Sequence, residues 1–285
     1  SERGHYSLGK AADILGIGRR SLIGIETDAN NKIRTDLLAR KCDELAKQNI
    51  KVMAIVGIVG TSETGNVDPL DEMADIAAER RIHFHVDSAW GGPTLFSDKY
   101  RSLLKGIERA DSVTLDAHKQ LYVPMGAGIC VFRNPETLSS VEHHAEYIIR
   151  KGSKDLGSHT VEGSRPGMAI LVHSGLQIIG RQGYELLIDQ GIDKARSFAG
   201  MIKAADDFEL VTEPELNILT YRYLPADVQQ ALLDAADDIR GDANQRLNLL
   251  TKSIQKTQRG LGRSFVSRTR LNPVRYQRDP IVVFR

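Results

Sequence analysis

Two side chains define the chemistry open to this chain: the carboxylate of Asp87 and the amine of Lys119. Asp87 closes Ile82-His83-Phe84-His85-Val86-Asp87, an apolar run with alternating polar residues that reads as a buried strand ending at a carboxylate. Ser112-Val113-Thr114-Leu115 reads as a second strand, and it delivers Asp116-Ala117-His118-Lys119 into a connection containing Pro124 and Gly126. In an α/β sheet, ligands sit in the crevice outside the carboxyl ends of the strands, which places Asp87 and Lys119 to face one small molecule. A carboxylate that partners a pyridinium nitrogen and a lysine that forms a Schiff base are the pair pyridoxal 5'-phosphate (PLP) requires. Opposite charges about 4 Å apart attract by roughly 4 kcal/mol at an effective dielectric near 20, enough to keep the ring nitrogen protonated at neutral pH. A protonated ring accepts the electrons of a breaking bond.

The stretches His85-Val86-Asp87-Ser88-Ala89-Trp90-Gly91-Gly92 and Asp116-Ala117-His118-Lys119 resemble the group II PLP-dependent amino-acid decarboxylases of fold type I, and the resemblance covers nearly the whole chain. It is nearest to the bacterial aspartate and glutamate decarboxylases. It implies the roles that follow. Lys119 carries the cofactor, Asp87 holds its ring nitrogen, and Ala89 packs on one ring face, where a larger side chain would push the ring away. His5, in Ser1-Glu2-Arg3-Gly4-His5-Tyr6-Ser7, matches the family His that lies flat on the opposite face; an exposed His is the alternative. His118 matches a His near the cofactor phosphate, or is a core residue. Thr61, in Gly60-Thr61 followed by Gly65-Asn66-Val67-Asp68-Pro69, matches a Thr that touches cofactor or substrate, or is a turn hydroxyl. Tyr147 matches the mobile-loop Tyr that protonates the substrate carbon once carbon dioxide has left, the alternative being a Tyr packing a helix end. Ser164, in Gly163-Ser164-Arg165-Pro166-Gly167, matches a segment that reaches the neighbouring subunit's phosphate in a homodimer. Arg285 matches an Arg that holds the substrate carboxylate, a task suited to a bidentate guanidinium. The implied substrate is an acidic amino acid, aspartate or glutamate. An aromatic or diamino-acid decarboxylase, or an aminotransferase or lyase of the same fold, shares the Asp and Lys.

Two rivals come from other classes. His83, His85 and Asp87 alternate along one strand face, a spacing some zinc and iron sites use, which would make a metal hydrolase; no Cys or Glu cluster completes a shell. The last part of the chain is basic, from Lys252 and Lys256 to Arg278 and Arg285, as a nucleic-acid-binding module would be. It lacks aromatic interleaving and a recognised motif, so it reads as a solvated or oligomer face. A net charge of +1 gives no global field favouring nucleic acid or membrane.

The elements that position these residues read as an alternation. Arg34 to Lys47 has helical spacing, Lys51 to Val59 is a Val/Ile-rich run typical of a strand buried on both faces, and Asp68-Pro69 supplies an N-cap and first-turn proline for a helix over Leu70 to Arg80. Leu22 to Ile25 and Ala127 to Phe132 read as further strands, and Asn134-Pro135 opens a helix to His144. Residues 145–163 lose periodicity and read as a functional loop. Helices follow over Met168 to Ile179 and Tyr184 to Ala205; then come strands at Leu210-Val211, Ile218 to Tyr223 and Ser264 to Val266, with one helix from Asp227 to about Gln258 before the last. The expected fold is α/β of the fold type I, PLP-dependent transferase-like kind: a mostly parallel sheet flanked by helices, with a smaller α+β C-terminal domain. Residues 1–165 form a partial PLP-binding domain, and 166–285 form linking helices and a partial small domain; both ends read as truncated, with the family's phosphate loop expected before Ser1. With 41% hydrophobic and 26% charged residues the chain has an ordinary globular composition. Cys42 and Cys130 show no metal or redox spacing and read as reduced core thiols of a cytoplasmic protein.

Overall fold

A computed structural model describes all of Ser1–Arg285. Helices α1 (Ser7–Ile14) and α2 (Thr35–Lys47) precede strand β1 (Ala54–Ile58), helix α3 (Leu70–Arg80), and strands β2 (His83–Asp87), β3 (Ser112–Asp116) and β4 (Gly128–Phe132). These strands form one sheet in chain order, β1 to β3 parallel and β4 antiparallel to β3. The register sets Asp87 level with Ile58 on one side and Thr114 on the other. Along β2 the pleat turns Phe84 and Val86 into the core and leaves His83, His85 and Asp87 on the more open face. The matching face of β1, at Ala54 and Val56, is likewise only half-buried, so β1 is covered fully on one side rather than both. The main core lies on that covered side, where Ile55, Phe84 and Val86 meet Met73, Ala74 and Ala77 of α3.

Helix α4 (Met168–Lys203) leads to the second sheet and is broken at Gly180, whose φ of 67° and ψ of 172° lie outside the helical region. The two expected helices are therefore the two arms of one kinked element. Its second arm gives Ile188 and Ile192 to the main core and Ala195 and Ile202 to a cluster with Leu219. Strands β5 (Phe208–Thr212) and β6 (Thr220–Tyr223), helices α5 (Ala226–Asp234) and α6 (Asp237–Leu261), and strands β7 (Arg268–Leu271) and β8 (Ile281–Phe284) complete the chain. The second sheet is antiparallel, in the order β5-β6-β8-β7.

Several expectations are corrected. Leu22 to Ile25 joins no sheet, its backbone meeting instead the first residues of the chain, where Ile25 O accepts from Glu2 N at 2.8 Å, and the strand expected from Ser264 begins at Arg268. The single helix expected from Asp227 is two, split at Ala235 and Ala236, which both adopt extended backbone. The segment after Asn134 winds only as 3-10 turns over Pro135–Val141. Asp68 does not cap α3. Its carboxylate instead accepts from Ile33 N at 2.9 Å and Ile58 N at 3.0 Å, tying the 26–34 loop to the end of β1. Cys42 is buried, but Cys130 is exposed on β4, the edge strand, so only the first is a core thiol; both are free. No helix is long and apolar enough to cross a membrane.

Candidate active site

The loops leaving β2 and β3 are joined by backbone and side-chain hydrogen bonds. Ser88 donates to the Thr114 carbonyl through both N, at 3.0 Å, and Oγ, at 2.7 Å. Asp116 N donates to the Ala89 carbonyl at 3.3 Å, and Gln120 Nε2 donates to the Trp90 carbonyl at 2.9 Å. Residues 88–90 and 114–120 are therefore tied into one unit; Asp87 directly precedes its first segment and Lys119 lies in its second. Glycine is required where that unit folds back. A Cβ on Gly91 would lie 2.6 Å from Val59 Cγ1, and one on Gly92 would lie 2.7 Å from Leu115 Cδ1.

Asp87 is half-buried, and its Oδ1 accepts from Ala89 N at 3.1 Å while its second oxygen has no partner in the chain. Lys119 lies three residues beyond the end of β3, and its Nζ pairs with Asp116 Oδ2 at 2.8 Å. The sequence reading missed Asp116 as Lys119's partner, although a spacing of three within one turn points to it. His118 Nδ1 donates to the Ala127 carbonyl at 3.1 Å, so this ring nitrogen carries a proton; its Nε2 faces the same Asp116 carboxylate at 3.8 Å. His5 is half-buried, and its Nδ1 accepts from Ser7 N at 3.3 Å, which leaves the neutral ring's proton on Nε2. The preceding Gly4 backs onto the Ile58 side chain, which brings this segment to the end of β1.

The other candidates lie on separate segments. Thr61 is 1% exposed, and its hydroxyl is engaged inside its own turn by Thr64 Oγ1 at 2.7 Å and Asn66 N at 3.1 Å. Tyr147 is 85% exposed in the 142–167 loop, and Ser164 of the same loop is also exposed. Arg285 follows β8, where its carbonyl accepts from Ser267 Oγ at 2.8 Å, and burial pushes its guanidinium below the ordinary arginine value against the opposing charge of Glu63.

The metal-hydrolase geometry does not form. His83 Nε2 and His85 Nδ1 both meet Ser112 Oγ at 2.8 Å, and no three His, Cys, Asp or Glu side chains gather as a ligand set. Burial is the main reason that His85 titrates below the ordinary histidine value, with His83 acting the same way and Asp87 opposing. In the basic C-terminal part, Arg275 pairs with Glu209, and Arg278 pairs with Glu2 and Glu26, so part of that charge is spent on internal contacts rather than presented as a free stripe.

The donor set suits a pyridine aldehyde. It comprises a half-buried carboxylate with one free oxygen, a primary amine on the adjoining loop, and the small Ala89 between two rigidly held segments. Comparison with known proteins agrees. Aspartate 1-decarboxylase of Aliivibrio fischeri is 60% identical over 285 residues, which is 100% of this chain and 52% of that protein. An aromatic-L-amino-acid decarboxylase of Bacillus atrophaeus is 30% identical over 253 residues, 87% of this chain and 52% of its own length. The crystal structure of mouse CSAD in apo form matches with a TM-score of 0.86 at 27% identity, covering 99% of this chain and 57% of that one. The chain spans about half the length of the curated relatives it matches. Residues 1–224 match the model of the pyridoxal-dependent decarboxylase conserved domain, and the chain belongs to that family.

Proposed function

We propose that this chain is part of a PLP-dependent α-decarboxylase acting on an acidic amino acid, aspartate or glutamate. The observation that carries this reading is that the loop after Asp87 and the segment carrying Lys119 are stitched together between Ser88 and Gln120. When bound, PLP supplies an electron-accepting ring, which is what loss of carbon dioxide from an amino acid requires.

The chain's own groups have separable tasks. The unpartnered oxygen of Asp87 would hold a proton-bearing ring nitrogen, while Ala89 N fixes the carboxylate through Oδ1. Lys119 Nζ is the amine that would hold the cofactor, and Asp116 aims it. His118, locked by the Ala127 carbonyl, presents Nε2 toward that pair. His5 supplies a flat half-buried ring, Thr61 keeps its loop in shape, and Arg285 offers a guanidinium to a carboxylate. Tyr147 Oη delivers a proton to the substrate carbon. Its full exposure suits a loop whose work is done against a second subunit, and Ser164 belongs to the same loop, so the reading includes a homodimer with shared sites in the cytoplasm.

The acidic substrate follows from Arg285 and from the name of the 60%-identical relative. Measuring carbon dioxide release from a panel of amino acids by the full-length protein tests the reading. Release from aspartate or glutamate is the expected result; amino-group transfer without carbon dioxide would sink it.

A further inference from the structure

Three charged side chains from distant parts of the chain lie within range of one another's charge, through Glu63, without pairing. Arg3 comes from the segment that carries His5, Glu63 from the loop after β1, and Arg285 from the end of β8. Each hides a polar atom from water with no hydrogen-bond partner: Arg3 Nε, Glu63 Oε2 and Arg285 Nε. The charge of Glu63 acts on both guanidiniums, each of which burial pushes below the ordinary arginine value. Buried charged atoms left unpaired are costly, and a cluster of them persists where something else is meant to complete it. Glu2 and Arg278 also act on Arg3, but they pair with each other at 2.9 Å. Arg3 and Arg285 against Glu63 therefore leave one positive charge over, which an anion would balance.

The reading above assigns Arg285 to one carboxylate, and every amino acid has an α-carboxylate. A second guanidinium with a free N–H in the same cluster is more than a neutral or aromatic amino acid needs. We propose that Arg3 is the specificity-determining residue for an acidic side chain, receiving the substrate's second carboxylate while Glu63 holds Arg3 and Arg285 together against their mutual repulsion. Arg3 reaches this place through Gly4, which lies against Ile58 at the end of β1, and through Glu2, whose carboxylate is held by Thr27 and Arg278. The inference rests on the decarboxylase reading above.

The test uses the full-length protein with Arg3→Gln, Arg3→Lys and Glu63→Gln, reading KM and kcat for aspartate and glutamate beside the inhibition constant of asparagine. Loss of a charged hydrogen-bonding partner predicts a rise in KM of about 10- to 100-fold for the acidic substrate. The inhibition constant of asparagine, which lacks the second carboxylate, stays within about twofold, and so do kcat and the cofactor absorbance. Glu63→Gln raises KM by a smaller factor. If Arg3→Gln fails to fold, Arg3→Lys decides: a KM rise confined to the acidic substrates supports the assignment, and an unchanged ratio to asparagine overturns it. A twofold or smaller KM change in Arg3→Gln, or an equal loss for every ligand, also overturns it while leaving the decarboxylase reading standing. A wild-type protein that releases no carbon dioxide from any amino acid removes both.

Discussion

Asp68 is the most informative single perturbation of the frame around the site. It is 3% exposed, its two oxygens serve Ile33 N and Ile58 N, and its own N donates to the Ile58 carbonyl at 2.9 Å. It therefore closes the 59–67 loop, which carries Thr61 and Glu63, against both β1 and the 26–34 segment. Asp68→Ala strands two buried N–H donors, each costing about 1–3 kcal/mol, for a total loss of about 2–6 kcal/mol. Asp68→Asn keeps one acceptor and turns an NH₂ toward the other donor, so it should lose about half as much. Against a usual domain stability of about 5–15 kcal/mol, the alanine variant is severely weakened. Urea denaturation of the full-length variants followed by circular dichroism measures both losses. A loss below about 1 kcal/mol for Asp68→Ala would refute the clamp, leaving the Val59 to Val67 bridge and the bonds to the Asn66 carbonyl to hold the loop.

Lys119→Ala is expected to abolish both turnover and the cofactor's absorbance band, and persistence of either would reject Lys119 as the anchoring amine. Tyr147→Phe removes only a proton donor, so kcat falls by about 10²- to 10⁴-fold while KM holds; a parallel loss in binding would argue for a packing role instead. Because the folded-state value of His85 lies below its unfolded value near 6.5, its neutral form is favoured in the native state. Its contribution is then fully present above about pH 6.5 and is lost as pH falls through that value toward the folded one. Unfolding free energies measured between pH 7.5 and 5 should fall less steeply in His85→Gln than in wild type, and equal slopes would contradict this.

The large sheet was legible because its signals are local. Leu70 to Arg80 shows helical spacing after a proline, and β2 and β3 are short runs alternating polar and apolar residues and ending in a carboxylate, which puts Asp87 and Lys119 at neighbouring strand ends from sequence alone. Local signal also misled. Leu22 to Ile25 has the composition of a strand, yet a strand needs a partner that sequence does not display, and Asp68 has the type and place of an N-cap but finds two better donors across the fold. Contacts between distant segments could not be seen at all. Trp90 Nε1 donates to Asn217 Oδ1 at 2.8 Å, joining the β2 loop to the second sheet's approach, and nothing in either neighbourhood announces the other. The Arg3, Glu63 and Arg285 cluster is hidden for the same reason, since each residue alone looks like an ordinary surface charge.

These long-range contacts divide the work of the site. The parts that would govern the chemistry, Asp87, Ala89, Asp116 and Lys119, sit on one sheet and are held by hydrogen bonds within it. The parts that would read the substrate's charge sit where the first residues of the chain meet the last. There Glu2 Oε1 accepts from Arg278 Nη1 at 2.9 Å, and Arg278 Nη2 reaches the Thr27 carbonyl at 3.1 Å. Gln277 and Arg278 both hold left-handed backbone, with φ of 51° and 65°, a conformation non-glycine residues keep only when surrounding contacts fix it. Arg3 directly follows Glu2, so that junction fixes where the Arg3 backbone lies. Substitutions at Glu2 or Arg278 should therefore move substrate affinity, whereas substitutions between Ser88 and Gln120 should move the chemical step.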